Sequence, residues 1–270
     1  MRRRSPGAGG GAIILTLFAR VVFVFLMLPV MVVFPISVSS AAYLQFPPPG
    51  FSWQWYQRFL DDPSWMDATW RSVKAATVCT VLSMGLGVPL TFLLVRSRRR
   101  GVWILDRLAA APIIVPTIVL SIAIYGVFAR LQLIGEWYGV AIAHTVLALP
   151  FVVILVGAGL RGFDETREQA AAGLGASWPV AVWRVTLPHL RQSLISPGFL
   201  AFISSFDELV VAMFLSGSSM TLPKKMFDNI MMEIDPTIAA VSVMQILLVG
   251  ACLGLTALFG RGALATTMSR

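Results

Sequence analysis

Two adjacent acids, Asp207 and Glu208, stand out because both of their flanks are uncharged, over residues 192–206 and 209–223. On insertion scales each ionised side chain near the centre of a bilayer costs about 2.5 to 3.5 kcal/mol, so intramembrane acids usually serve a function. Ser204 lies three positions before Asp207 and four before Glu208, so on a helix it can share the polar face of either acid. Two interpretations stay open: the three side chains line a polar path, or one acid pairs with a basic residue of a partner helix.

Other residue types that often carry chemistry are poorly placed for it. His144 and His189 lie far apart without acids or cysteines at ligand spacing, and Cys79 and Cys252 lie inside apolar runs. Neither a metal site nor a disulfide framework is therefore expected. Glycines at 157, 159 and 162 match a dinucleotide-binding fingerprint, but no predicted strand precedes them and no acid follows at the spacing the ribose needs. The sequence also lacks the phosphate-binding loop of an ATPase, so this chain is not predicted to hydrolyse ATP.

The composition indicates that membrane-spanning helices position these residues. Of the 270 residues, 57% are hydrophobic and 13% are charged, whereas soluble domains carry about 25% charged residues. The net charge of +8 does not indicate nucleic-acid binding, because the basic residues fall between apolar segments. Stretches long enough to cross roughly 30 Å of hydrocarbon predict an all-α integral membrane protein with six spans, the fifth a single helix carrying both acids. The predicted spans are residues 17–38, 73–95, 106–129, 138–160, 193–216 and 237–260.

The basic residues also predict the orientation of the spans. With both termini in the cytoplasm, fourteen of the 21 Lys and Arg residues lie inside and six outside, while Arg20 begins the first span. Such an excess of positive charge is typical of the cytoplasmic side. Residues 1–16 then form a basic cytoplasmic N-terminus, and residues 265–270 form a cytoplasmic tail. Outside, residues 41–70 are rich in aromatic side chains and predict a short amphipathic segment at the membrane interface.

The longest predicted cytoplasmic loop has the pattern of a folded element. Thr166 followed by Gln169 is a capping-box spacing that can begin a helix, and Gly175 suits the left-handed residue that ends one. Ser177 can cap a second short helix, which is predicted to stop before Leu187. A flexible tether does not need such signals, since flexible linkers are rich in glycine and serine. The loop is therefore predicted to be rigid and to present a folded surface to the cytoplasm.

Eight residues of this loop follow a known family pattern. They are Glu168, Gln169, Ala170, Ala171, Gly175, Val185, Leu187 and Pro188. Their spacing resembles the EAA loop of permease subunits from binding-protein-dependent ABC importers, except that Gln169 stands where the family usually has Glu. The resemblance implies that residues 161–192 couple to a cytoplasmic ATPase, and that an ion pair from position 169 to that ATPase is lost. It also implies a type I ABC importer permease (MetI-like) fold for residues 17–264.

Further segments are similar to one group of these permeases. Residues 111–116 resemble the proline-broken start of the family's third span. Segments 205–211, 216–217, 221–223 and 235–238 are similar to the spermidine/putrescine permease group, in particular its PotC-like second inner-membrane subunits. The resemblance implies a multi-pass protein of the bacterial inner membrane. It also implies that the acids at 207 and 208, with Ser204, attract a cationic solute to a translocation path.

The resemblance implies partners but no catalysis by this chain. The expected partners are a homologous permease subunit, two ATP-binding subunits and an extracytoplasmic solute-binding protein. ATP and Mg²⁺ are used by the ATPase, and this chain is expected to bind no cofactor, metal or nucleic acid. An importer for another small solute, such as an opine or an amino-butyrate-like compound, is the main alternative. An ion-gradient-driven secondary transporter is more remote, since such proteins often contain inverted repeats and the first half of the chain has no second acid-bearing span.

Overall fold

A computed structural model describes the chain over residues 8–97, 99–232 and 235–267. Within these ranges, side chains are described between residues 12 and 257. Three arginines of the predicted N-terminal segment, Arg98 and the end of the predicted tail lie outside the described residues. Most of the described chain is helical, and its one isolated β-bridge joins Ser39 to Phe51. The all-α class predicted from composition is therefore confirmed.

Most of the described helices are joined by short connections, and the longest connection is that between α1 and α2. In chain order they are α1 (Ala8–Ser37), α2 (Gln54–Asp61), α3 (Pro63–Arg96), α4 (Val102–Ile114), α5 (Thr117–Arg130), α6 (Trp137–Arg161), α7 (Thr166–Gly173), α8 (Trp178–Ala181), a π-helical turn (Val182–Thr186), α9 (Leu187–His189), α10 (Arg191–Phe206), α11 (Val210–Leu215), α12 (Leu222–Met232) and α13 (Thr237–Thr267). Helices α1, α3, α6 and α13 are each long and apolar enough to cross a membrane.

One compact unit contains the residues up to Asp62 together with Asn229–Leu247. The side chains of α1 are exposed over most of its length, as expected of a helix that faces lipid or a partner. The short helix α2 is amphipathic and buries Trp55 and Phe59, so the amphipathic segment predicted after the first span is present as a helix. The indole Nε1 of Trp55 donates to the carbonyl oxygen of Ser39 at 2.8 Å, which ties α2 to the end of α1.

The other unit, Pro63–Asp228 with Leu248–Arg270, is built on α3, α6 and α10, which pack against one another. Small residues allow the close packing of these helices. A Cβ built on Gly87 of α3 would lie 2.7 Å from the Cγ1 atom of Val152 on α6, so glycine is needed there. The core between the three helices includes Cys79, Ala148 and Ala201, all buried.

Two of the predicted spans are divided in the structure. Helices α4 and α5 occupy the predicted third span, but they are bent by 111° at a break. Val115, which precedes Pro116, has extended backbone (φ −79°, ψ 130°), because the proline ring disfavours helical geometry for the residue before it. The predicted fifth span is divided into α10 and α11 by residues 207–209. The prediction of one continuous fifth helix is therefore wrong.

Candidate functional site

The break between α10 and α11 gives the two acids different environments. Helix α10 ends at Phe206, and the carboxylate of Glu208 accepts a hydrogen bond from the backbone N–H of Val211 at 3.0 Å. Glu208 thus satisfies an unpaired N–H in the first turn of α11, which allows the helix to restart after the break. Asp207 is exposed, and within the described part of the chain its carboxylate has no hydrogen-bond or ion-pair partner.

The described structure does not pair Ser204 with the acids, and the serine beside it bonds a histidine of α6. Ser204 is half-buried, and no described hydrogen bond joins it to either acid. Instead, Ser205 bonds the Nδ1 atom of His144 at 2.8 Å, and both side chains are buried. This bond ties α6 to the last turn of α10, immediately before the break. The sequence predicts only that His144 is not a metal ligand, but a lone histidine in an apolar span needs a polar partner, and this signal points to a bond such as the one with Ser205.

The loop between α6 and α10 begins with a different hydrogen-bond acceptor from the predicted capping box. The carboxylate of Asp164 accepts hydrogen bonds from the backbone N–H of Thr166 at 3.0 Å and from its hydroxyl at 2.7 Å. These bonds lower the pKa of the exposed Asp164 carboxyl below its ordinary value. A helix does begin at Thr166, as the sequence predicts, but no capping box between Thr166 and Gln169 is among the described hydrogen bonds, because the carboxylate of Asp164 supplies the acceptor instead.

The middle of the loop has the turn that the sequence predicts. Gly175 follows α7 with φ +89°, so the predicted left-handed glycine is confirmed. Ser177 occupies the N-cap position of α8 with extended backbone (φ −69°, ψ 156°), but its hydroxyl makes no capping hydrogen bond.

The prediction that the second helix stops before Leu187 is wrong. The helical path continues through the π-helical turn, in which the N–H of Leu187 donates to the carbonyl oxygen of Val182, into α9. The wider π turn changes the hydrogen-bond ladder just before Pro188, whose missing N–H would interrupt a regular α-helix.

The residues of the EAA-like pattern divide into buried and exposed sets. Glu168 is buried, and its carboxylate bonds the two terminal guanidinium nitrogens of Arg96, at 3.1 and 3.0 Å. The hydroxyl of Thr186 also donates to Glu168, and Glu165 lies 3.3 Å from Arg96. Gln169, Ala170, Gly175 and Pro188 are exposed, whereas Ala171, Val185 and Leu187 are half-buried. Glu168 therefore holds the loop together internally and does not present its charge outward.

The loop between α6 and α10 exposes three large apolar side chains. Leu174 is 92% exposed, Trp183 is 73% exposed and Trp178 is 62% exposed. Large exposed apolar side chains grouped on one short loop are typical of a protein–protein contact surface.

Comparison with known proteins identifies the family. Residues 83–265 match the family described as the binding-protein-dependent transport system inner membrane component. This chain belongs to that family. The permease is thus a multi-pass protein of the bacterial inner membrane, as the apolar helices also indicate.

The relatives of the permease carry different solutes. It is 28% identical over 233 residues to the spermidine/putrescine transport system permease PotC of Haemophilus influenzae, covering 86% of this chain and 90% of that protein. It is 35% identical over 217 residues to the molybdenum transport system permease ModB of Mycobacterium bovis, covering 74% and 81%. Its fold is similar to that of a bacterial ABC transporter for import of the acidic polysaccharide alginate, with a TM-score of 0.74, 20% identity and coverage of 95% and 99%.

Proposed function

We propose that this permease forms half of the translocation path of an ATP-driven importer for a small cationic solute, with polyamines of the spermidine/putrescine class as the substrate. The observation that carries the cationic assignment is the carboxylate of Asp207, which lies at the break between α10 and α11 and has no partner among the described residues. An ionised group within an apolar segment is costly, so a solute cation that pairs with it supplies a physical reason for keeping it.

The two acids have separate roles in this proposal. Glu208 caps α11 and holds the shape of the break, whereas Asp207 is available to contact the solute. A carboxylate in the path attracts an ammonium group and repels an oxyanion such as molybdate. The similarity to PotC therefore fits the chemistry at position 207 better than the higher identity to ModB does. Ser204 remains a candidate for a weaker contact with the same solute.

Energy for transport enters through the loop between α6 and α10. We infer that the exposed residues of the EAA-like pattern and the apolar side chains of Leu174, Trp178 and Trp183 dock on a cytoplasmic ATP-binding subunit. ATP and Mg²⁺ are used on that subunit, so this chain needs no cofactor of its own. The full importer then contains a homologous permease subunit, two ATP-binding subunits and an extracytoplasmic solute-binding protein.

The test is ATP-dependent uptake by the reconstituted complex in proteoliposomes, with radiolabelled spermidine as the solute. Unlabelled spermidine and putrescine should compete, whereas molybdate and γ-aminobutyrate should not. Asp207→Asn should reduce uptake about tenfold or more, because a hydrogen bond to a charged group contributes about 1.5–3 kcal/mol. Glu208→Gln is the matched control: its amide oxygen can still accept from Val211, so uptake should stay close to that of the parent.

Two results would contradict this assignment. Equal uptake by the Asp207→Asn and parent complexes would remove Asp207 from the path. Competition by molybdate, or by γ-aminobutyrate with no effect of polyamines, would refute the polyamine assignment. The chain would then be a permease for another small solute, and its role as an ABC permease would stand.

A further inference from the structure

We propose that Arg96 is a positioning residue that transmits movement of the coupling loop to α3, and that its ion pair with Glu168 is the connection. Coupling loop here means residues 161–192. The proposal rests on the proposed function, because it concerns how movement of a docked ATPase reaches the membrane helices.

The geometry of the pair is suited to carrying force. Both terminal nitrogens of the Arg96 guanidinium bond separate oxygens of Glu168, so the contact is bidentate and fixes the angle as well as the distance between the two groups. Thr186, on the π-helical turn, donates to the same carboxylate. Glu168 therefore joins three elements in one place: the end of α3, helix α7 and the second half of the loop.

The ion pair is shielded from solvent, so water molecules cannot easily replace the hydrogen bonds between the two side chains. The Arg96 side chain is 20% exposed and that of Glu168 is 10% exposed. Removal of either partner leaves a largely buried charge without compensation, a change that proteins tolerate poorly. The pair should therefore stay closed while the loop moves.

Apart from the ion pair, α3 and the coupling loop are not closely packed against each other. An open groove of about 530 Å³ lies between the C-terminal end of α3 and the second half of the loop. It is lined by Val88 and Phe92 of α3 and by Trp178 and Leu187 of the loop. The loop is also joined to α6 and α10 through the backbone, so those helices follow it directly. Helix α3 has no such backbone link, and Arg96 supplies the firm contact at its end.

Helix α3 in turn packs against both α6 and α10. If α3 did not follow the loop, α6 and α10 would move against a stationary neighbour and the path would open only in part. Loss of the pair should therefore reduce the solute transported for each ATP hydrolysed. It should not prevent the ATPase from binding, because the exposed surface of the loop is unchanged.

The experiment compares Arg96→Gln with Arg100→Gln in the complete complex. Arg100 is an exposed arginine of the turn that follows α3, so it controls for loss of a cytoplasmic positive charge. Uptake and ATP hydrolysis are measured on the same proteoliposomes, and ATPase co-purification is measured on the same preparations. We expect Arg96→Gln to retain the ATPase while uptake per ATP falls about tenfold. Arg100→Gln should match the parent in all three measurements.

If Arg96→Gln does not assemble, the double variant Arg96→Glu/Glu168→Arg can be tested in its place. It exchanges the two charges between the positions and so keeps an ion pair between α3 and the loop. We expect this double variant to assemble and to recover most of the uptake per ATP. A second measurement replaces the ion pair by a covalent link: Arg96→Cys/Glu168→Cys, with Cys79 and Cys252 changed to Ala, is joined by a short thiol cross-linker. Coupling should be low before cross-linking and should rise after it.

Failure of this inference is distinguishable from failure of the proposed function. If the parent complex shows ATP-dependent uptake and Arg96→Gln has the same uptake per ATP, the role of Arg96 is refuted. A cross-link that fails to raise the coupling also refutes it. If the parent chain neither retains an ATPase nor supports uptake of any tested solute, the proposed function itself fails and the inference falls with it.

Discussion

Gly159 marks a close approach of α6 to α10, and an added methyl group there gives a direct test of this packing. A Cβ at position 159 would lie 2.2 Å from the Oγ atom and 2.5 Å from the Cβ atom of Ser193. Carbon atoms in contact lie about 3.5–4.0 Å apart, so the pair of Cβ atoms would be about 1 Å too close. The Ser193 hydroxyl can rotate away, but its Cβ moves only with the backbone. Gly159→Ala must therefore push α10 away from α6.

The expected cost follows from overpacking in a dense interior, about 1–3 kcal/mol. Replacement of a helical glycine by alanine also favours the helix by about 1 kcal/mol, which would hide part of this cost. Gly250→Ala in α13 serves as the control, because it has the same gain in helix propensity but a Cβ there meets no described atom within 4 Å. The difference between the two variants isolates the steric cost. At about 2–4 °C per kcal/mol for a chain of this size, it corresponds to a difference in Tm of about 2–12 °C.

The assay is thermal unfolding of the purified permease in detergent. Gly159→Ala should have a lower Tm than Gly250→Ala, and the double variant Gly159→Ala/Ser193→Gly should recover most of the loss because it removes the opposing side chain. Equal Tm values for the two alanine variants, or no recovery in the double variant, would refute the close packing of α6 on α10.

Two further predictions concern the coupling loop. Because hydrogen bonds from Thr166 lower the folded-state pKa of Asp164, the charged cap is fully present above the ordinary carboxyl pKa and is lost as the pH falls below it. Protection of the Thr166 amide against hydrogen exchange should therefore be constant down to about pH 5 and fall below about pH 4, whereas Asp164→Asn should abolish this pH dependence. Gly175→Asn keeps a residue that tolerates positive φ but adds bulk, so it should weaken ATPase co-purification, while Gly101→Asn, at φ +96° in the turn between α3 and α4, should not. Equal loss in both asparagine variants would indicate backbone strain and not docking.

The sequence predicts the class of this protein because span length and apolar composition are local properties. A run of about 20 apolar residues can satisfy its backbone hydrogen bonds in a membrane only as a helix, whatever the rest of the chain does. The left-handed Gly175 is local as well, since a positive φ depends on the residue type at that position. The position of the coupling loop and the family resemblance follow from spacing along the chain.

The differences between prediction and structure arise where a distant or competing hydrogen-bond partner decides the local geometry. The break at Pro116 agrees with the proline-broken start that the resemblance implies for the third span, but its 111° angle also depends on where α4 and α5 pack. The break at Asp207 contains no proline or glycine, so the sequence predicts a continuous helix there. The break forms because the carboxylate of Glu208 accepts a hydrogen bond from the N–H of Val211, a group that the break leaves without a helical partner. A side-chain cap of this kind is hard to distinguish in sequence from an acid on a continuous helix.

The sequence by itself determined that the chain is a helical membrane protein, and it placed a folded loop before the segment that carries two adjacent acids. Only the tertiary structure decided which acid lacks a partner among the described residues, and that Glu168 faces inward to a residue 72 positions earlier in the chain. The same holds for the bond between His144 and Ser205. The physical reason is that apolar burial and backbone propensity are summed over neighbouring residues, whereas a buried charge or polar group is satisfied by whichever partner the packing of α3, α6 and α10 brings within about 3 Å.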